Sequence, residues 1–245
     1  MKTSAERADV ALTSAGLADS REKAQALILS GGVFLDGRRI NKPSERVGDP
    51  ARLTVAAPPP YVSRGGIKLA AALDAFHVDP VGLVCIDVGA STGGFTDALL
   101  QRGASKVYAV DVGYGQLADK IRHDPRVAVM ERVNARLMKP DMFDPRPVLA
   151  VMDVSFISIR LILPALRDVT GESGRVVTLI KPQFEAGRGK VGKGGIVRDA
   201  AVHAEVLREI SEFAAGHGWV SGGIIESPIR GQTGNLEFLM DIKFS

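Results

Sequence analysis

Cysteine, clustered histidine and long apolar runs are scarce in this chain, and each scarcity removes a class of protein. The 245 residues contain one cysteine, Cys85, so no intrachain disulfide can form and a reducing compartment is expected. Cys85 sits in the apolar run Leu83-Val84-Cys85-Ile86, the setting of a packed side chain rather than a nucleophile. The four histidines, His77, His123, His203 and His217, are scattered without metal-ligand spacing, so no metal site is expected. No window approaches the roughly 18 apolar residues of a membrane span. The opening residues, Met1 to Arg7, have no apolar stretch of signal-peptide type. A soluble, cytoplasmic protein with no membrane partner is expected. Charge is also sparing: the net is only +3, although the pI is near 9.1, a mild lean toward anionic partners. What is present is apolar mass, 45% of the chain, enough for a proper core.

The first 57 residues read as a compact α+β unit. Residues 5–15 suit a short helix. Asp19-Ser20 caps a second helix through Ala24, Leu27 and Ile28, stopped by Gly31-Gly32. Val33-Phe34-Leu35 and Arg38-Arg39-Ile40 flank Asp36-Gly37, the signature of a tight hairpin, and Arg52-Leu53-Thr54-Val55 is a further strand. The stiff Pro58-Pro59-Pro60 then marks a linker over residues 58–63.

From residue 64 to 245 helices alternate with apolar strands at 83–88, 106–111, 127–131, 148–153, 175–181, 219–226 and 236–244. Runs such as Val107-Tyr108-Ala109-Val110 and Val148-Leu149-Ala150-Val151-Met152 are apolar on both faces, as in a parallel sheet covered by helices on each side. The last two strands are joined by a loop, which predicts an antiparallel terminal pair. The expected class is α/β: a Rossmann-like sheet of seven mostly parallel strands with an antiparallel final strand, behind a small α+β domain.

The strongest motif is Asp87-Val88-Gly89-Ala90-Ser91-Thr92-Gly93-Gly94-Phe95-Thr96-Asp97, running from the end of the first large strand into a helix, where doubly wound sheets bind ligands. It is not a true G-x-G-x-x-G, because Ser91 holds the middle position that a pyrophosphate needs as glycine. S-adenosyl-L-methionine carries no phosphate and tolerates a serine there. Asp111 ends the next strand, in Val110-Asp111-Val112-Gly113, where an acid accepts both ribose hydroxyls of a nucleoside and repels a second phosphate. Asn134 follows the third strand, placed for the adenine, and Asp153 ends the fourth, on the same crevice. The candidate cofactor residues are therefore Asp87, Gly89, Ala90, Ser91, Thr92, Gly93, Gly94, Phe95, Asp111, Val112, Asn134 and Asp153.

Four charged residues stand in apolar contexts: Lys68, Asp153, Lys181 and Glu237. Charges so placed must pair or take part in chemistry. A lysine flanked by carboxylates suits a weak nucleophile such as a ribose 2′-hydroxyl, because it holds the oxygen and helps remove its proton. Ion pairing of a purely structural kind is the competing reading.

At these residues the chain resembles the TlyA/hemolysin A proteins, bacterial 2′-O-methyltransferases of ribosomal RNA. The resemblance rests on Val62-Ser63-Arg64-Gly65-Gly66-Ile67-Lys68-Leu69, on the Gly89–Thr96 run, on Asp111-Val112-Gly113-Tyr114-Gly115-Gln116-Leu117, on Asp153-Val154-Ser155-Phe156-Ile157-Ser158 and on Lys181-Pro182-Gln183-Phe184-Glu185. It implies an FtsJ-like catalytic domain over 64–245, in which Lys68, Asp153, Lys181 and Glu237 match a Lys-Asp-Lys-Glu catalytic set in type and order. It implies an S4-type RNA-binding domain over 1–57, S-adenosyl-L-methionine as methyl donor, and cytidines of 16S or 23S ribosomal RNA in ribosomal subunits as substrates.

The candidate grip on RNA is Arg7, Arg21, Lys23, Arg38 and Arg39 in the first domain, with Arg64 beside the crevice. Arg188, Lys190 and Lys193 lie in a glycine-rich excursion, residues 187–195, suited to closing over a substrate. Three rival readings remain: a nicotinamide-dependent oxidoreductase, which Ser91 fits badly; a membrane-active haemolysin, which no apolar stretch supports; and an RNA-binding module without catalysis.

Overall fold

The computed structural model describes residues 5–57 and 59–244, the side chain of Arg188 excepted. Pro58 of the expected linker therefore lies outside the described residues, as do residues 1–4 and 245 at the expected domain limits. The chain divides into two compact units, 1–59 and 60–245.

The N-terminal unit carries β1 (Glu6–Arg7), α1 (Ala8–Ser14), α2 (Arg21–Leu29), β2 (Val33–Leu35), β3 (Arg38–Arg39), β4 (Arg46–Val47) and β5 (Leu53–Val55). The Ser20 hydroxyl accepts from Lys23 N–H, the expected cap of α2. The hairpin forms with Phe34 opposite Arg39, and β5 pairs the other edge of β2. The expected helix at 5–15 is shorter, because Glu6 and Arg7 pair with Val47 and Arg46 as a second small sheet. Two residues are too few to show the alternation that signals a strand. Ala8, Ala11, Leu12, Ala24, Ile28, Val33, Ile40, Val47 and Leu53 form this unit's core.

The second unit runs α3 (Gly65–Ala75), β6 (Val84–Val88), α4 (Gly94–Gln101), β7 (Lys106–Asp111), α5 (Asp119–Arg122), β8 (Val127–Glu131), β9 (Leu149–Met152), α6 (Leu163–Thr170), β10 (Arg175–Ile180), α7 (Pro182–Glu185), α8 (Ala200–Gly216), β11 (Val220–Glu226) and β12 (Phe238–Lys243). Its seven strands lie in the order β11-β12-β10-β9-β6-β7-β8. The β9, β6, β7 and β8 pairings and the β10–β9 pairing are parallel, whereas β12 is antiparallel to both β10 and β11. The last two strands thus form the expected antiparallel terminal pair, with β12 lying between β10 and the edge strand β11. Hydropathy alone does not give strand order, since other orders bury the same apolar faces.

Strand residues alternate between two cores. Val88, Val110, Met152 and Ile180 pack with α6 and α8 on one face, and Cys85, Val107, Val151 and Leu179 pack with α3 and α4 on the other. This double burial explains strands that read as apolar throughout. Burial pushes the Cys85 thiol up to about 12, so it is an inert packed side chain. The chain crosses from β6 to β7 on one side and returns to β9 on the other, so the sheet's switch point opens beside the C-terminal end of β6. Among the described residues no helix is long and apolar enough to cross a membrane.

Candidate active site

The turn after β6 is shaped by one close approach. Gly89 has φ +84°, and a Cβ on it would stand 2.4 Å from the Asp153 carbonyl oxygen. Only glycine fits there. Ser91 also takes a left-handed conformation, with φ +47°. Its N–H donates to Asp111 Oδ2 at 2.8 Å, which holds the strained residue in place, and Gly113 N–H donates to Asp111 Oδ1 at 2.7 Å. The sequence shows a serine where a glycine is usual; the Asp111 bond is what makes the backbone shape attainable.

Two adjoining clefts open on these strand ends. One, of about 560 Å³, is lined by Gly89, Ser91, Asp111, Val112, Asn134 and Asp153, together with the 154–157 loop. The other, of about 640 Å³, is lined by Lys68, Asp153, Lys181 and Glu237, by the 89–92 turn with Gly94 and Phe95, and by Ser63 and Arg64. Gly89, Ser91, Asp153, Ser155 and Phe156 are common to both. Volumes of this size suit small-molecule ligands. Of the twelve expected cofactor residues, ten line one cleft or the other. Asp87 and Gly93 line neither cleft. Asp87 is fully buried, where Oδ2 accepts from Thr96 N–H and Thr96 Oγ1 at 2.9 and 2.7 Å. Gly93 faces Leu117 and Ile121. Both support the turn from behind.

The four charged residues meet as two ion pairs. Lys68 Nζ lies 2.5 Å from Glu237 Oε2, with side chains 10% and 3% exposed. Glu237 stands one residue ahead of β12, and Lys68 projects from α3. Lys181 Nζ lies 2.6 Å from Asp153 Oδ1. That oxygen has no aligned hydrogen bond, however, and the lysine donates to Ser155 Oγ at 2.9 Å. Asp153 Oδ1 is therefore a buried carboxylate oxygen held at ion-pair distance by Lys181. Beneath them, burial pushes the Asp87 carboxyl up to about 7, with Asp153 and Asp111 adding repulsion and Thr96 opposing. Asp87 Oδ1 has no partner.

Sequence reasoning missed the aromatic wall. Phe156 is 90% exposed, has φ +65° and lies 5.0 Å, ring to ring, from Phe184. An exposed aromatic in a strained loop is a usual signal of a ligand contact, but φ is not visible in sequence. Gln183, Gln232 and Thr233 also line the larger cleft.

The basic residues divide. Arg7 and Arg21 both bind the buried Asp9, at 2.9 Å each, so each has a structural partner inside the N-terminal unit. Lys23 pairs with Asp19, Arg38 with Glu45 and Lys190 with Glu205. Arg39, Arg64 and Lys193 have no ion-pair partner among the described residues. The Arg188 side chain lies outside those described. The glycine-rich excursion forms a single bridge, Gly192 to Ile196.

These features agree with the chain's relatives. The FtsJ-like methyltransferase model matches residues 61–244 and the S4 domain model residues 6–50. The 16S/23S rRNA (cytidine-2′-O)-methyltransferase TlyA of Mycobacterium tuberculosis (strain ATCC 25618 / H37Rv) is 46% identical over 96% of this chain and 88% of its own. A proposed rRNA methyltransferase of Bacillus subtilis (strain 168), YqxC, is 50% identical over 99% of this chain and 87% of its own. The structure of a proposed hemolysin from Streptococcus thermophilus superposes with a TM-score of 0.76, at 44% identity, over 99% of this chain and 90% of that one. A glycine-serine turn over a nucleoside-sized cleft, two lysine–carboxylate pairs beside it and near full-length identity of this order place the chain in the TlyA/hemolysin A family of FtsJ-like methyltransferases.

Proposed function

We propose that this enzyme transfers the methyl group of S-adenosyl-L-methionine to the ribose 2′-hydroxyl of a cytidine in ribosomal RNA, of the 16S or 23S molecule. The observation that carries the reading is the pairing of Lys181 with Asp153 and of Lys68 with Glu237 on one cleft that shares Asp153 with a second.

The residues present fit the donor. Asp111 is an acid at the tip of the strand beside β6, suited to ribose hydroxyls. Asn134 lines the same cleft. Gly89 keeps the turn bare. When bound, S-adenosyl-L-methionine supplies an electrophilic methyl group on a sulfonium.

The chain's own residues then position and deprotonate. Lys181 and Lys68 hold the sugar oxygen by hydrogen bonds, each oriented by its carboxylate. The Asp153 carboxylate accepts the hydroxyl proton as the oxygen becomes nucleophilic. Holding the oxygen in line with its target supplies much of the rate. Phe156 offers a face for a nucleobase to stack on once the nucleotide leaves its helix. A site organised around a 2′-hydroxyl selects RNA over DNA. We assign residues 1–57 to RNA binding, joined by 58–63 to the catalytic domain at 64–245. Arg39, Arg64 and Lys193 are the free cations for phosphate, and the setting is cytoplasmic.

The test is incubation with tritiated S-adenosyl-L-methionine and each ribosomal subunit, with binding of NADH measured in parallel. Transfer to a subunit with no NADH binding is expected. NADH binding without transfer would favour the oxidoreductase reading, and lysis of membranes by a Lys181→Ala protein would favour the haemolysin reading.

A further inference from the structure

We propose that Glu185, outside the four-residue set, is a positioning residue: its buried carboxylate clasps the loop after β9 to the helix after β10 and so fixes Asp153 against Lys181.

The sheet alone does not fix that pair. The last residues joined between β9 and β10 are Met152 and Thr178. Beyond them the two chains have different anchors. Asp153 N–H donates to Val88 O at 3.0 Å, which ties the acid to β6. The β10 strand instead stays paired with β12 as far as Ile180 opposite Phe238, which ties Lys181 and its neighbour Glu237 to the other half of the sheet. Asp153 and Lys181 thus stand on opposite sides of a seam that the backbone ladder has already left.

Glu185 spans this seam. It ends α7, four residues after Lys181, and its side chain is 2% exposed. Oε2 accepts from the Ser158 hydroxyl at 2.6 Å, and Oε1 accepts from Ile159 N–H at 2.8 Å. The Arg160 guanidinium lies 3.5 Å from Oε2. Ser158 and Ile159 end the 153–157 loop that lines both clefts and carries Ser155 and Phe156. That loop needs holding, because Phe156 at φ +65° is in a left-handed conformation that is strained for a residue with a side chain. A buried carboxylate is costly unless it accepts hydrogen bonds. Here burial raises Glu185 above the usual carboxylate range, while Ser158, Ile159 N–H and Arg160 oppose the shift. All three partners of the side chain, Ser158, Ile159 and Arg160, lie directly after the 153–157 loop, so the carboxylate pins the end of that loop.

The kinetic part of this inference rests on the methyl-transfer reading; the restraint on the loop does not. The test compares full-length wild type, Glu185→Ala, Glu185→Gln, Ser158→Ala and, as a control, Lys181→Ala. In the free protein, Glu185→Ala is expected to speed amide exchange at residues 153–160 by about tenfold or more, with β6 unchanged. In the loaded enzyme it lowers kcat by about 10–100-fold, while KM for RNA stays within about threefold. Glu185→Gln keeps an acceptor for Ile159 N–H and a polar group for Ser158, and recovers most of kcat. If Glu185→Ala does not fold, Ser158→Ala removes one partner alone and predicts a smaller change in the same two readouts. Wild-type exchange over 153–160, or wild-type kcat, in a folded Glu185→Ala protein overturns the proposal, as the same pair of results does for Ser158→Ala. A wild type that methylates no RNA counts against the assigned reaction, and amide exchange then decides the clasp by itself.

Discussion

Two aspartates in this molecule have no exposed surface, Asp9 in the N-terminal unit and Asp87 in the catalytic unit, and they are treated in opposite ways. Asp9 is saturated. It accepts from Arg7, Arg21 and Gln25 side chains and from Val10 N–H, and the Arg7 hydrogen bonds hold it well below the usual carboxylate range. Asp87 has Thr96 alone, keeps one oxygen unpartnered and is pushed up to about 7. A charge that only holds a fold together is given every partner it can use. A polar group left short, next to Gly89, Ser91 and Asp153, fits the ligand site proposed there. The strained residues Ser91 and Phe156 lie on the same unit and line the same clefts.

The contrast can be broken most forcefully at the catalytic pair. Lys181→Ala is expected to lower methyl transfer by about 10²–10⁴-fold, with amide exchange in the N-terminal unit unchanged. Next is Gly89→Ala, where the added Cβ meets the Asp153 carbonyl and φ is +84°. Strain of about 1–3 kcal/mol should appear as lower stability and as at least tenfold weaker binding of S-adenosyl-L-methionine by calorimetry. Asp9→Ala should destabilise the N-terminal unit by about 1–3 kcal/mol, since its arginine partners are partly exposed and can rehydrate. RNA affinity falls with it, while S-adenosyl-L-methionine affinity stays at the wild-type value.

A smaller effect sharpens the comparison through pH. Asp9 has a lowered folded pKa, so its contribution is complete above the unfolded value near 4 and is lost as pH falls below it. Asp87 has a raised folded pKa, so stability is greatest below about 4 and is lost as pH rises toward 7. Glu185, also raised by burial, has the same sign as Asp87. Acidification from pH 7 to pH 4 should therefore raise amide protection, measured relative to the intrinsic exchange rate at each pH, in the catalytic unit, and further acidification should lower it in the N-terminal unit. Asp87→Asn should flatten the first trend. The smallest expected effect is on salt. Removing Arg39 or Lys193 should reduce the salt slope of RNA binding by about 0.7–0.9 each, and removing the Glu205-paired Lys190 should reduce it by less.

Much of this was legible in the chain. The doubly apolar strands Val107–Val110 and Leu149–Met152 announce a covered parallel sheet, and polar residues at their ends announce its crevice. Lys68, Asp153, Lys181 and Glu237 were visible as charges in apolar surroundings, and burial of all but the strand tips is why they had to pair. What stayed hidden depends on the third dimension. Glu6–Arg7 is too short a strand to carry a period. The position of β12 inside the sheet changes no residue's hydropathy. The occupation of Arg7 and Arg21 by Asp9 needs the partner's place, and the role of Phe156 needs its backbone angle.

Mass spectrometry of nucleosides from digested ribosomal RNA, after incubation with the enzyme and S-adenosyl-L-methionine, tests the central claim most directly. Added methyl mass on the ribose fragment of cytidine, absent with Lys181→Ala, is the predicted result. Methyl mass on the base fragment, or ribose methylation undiminished in Lys181→Ala, would contradict it.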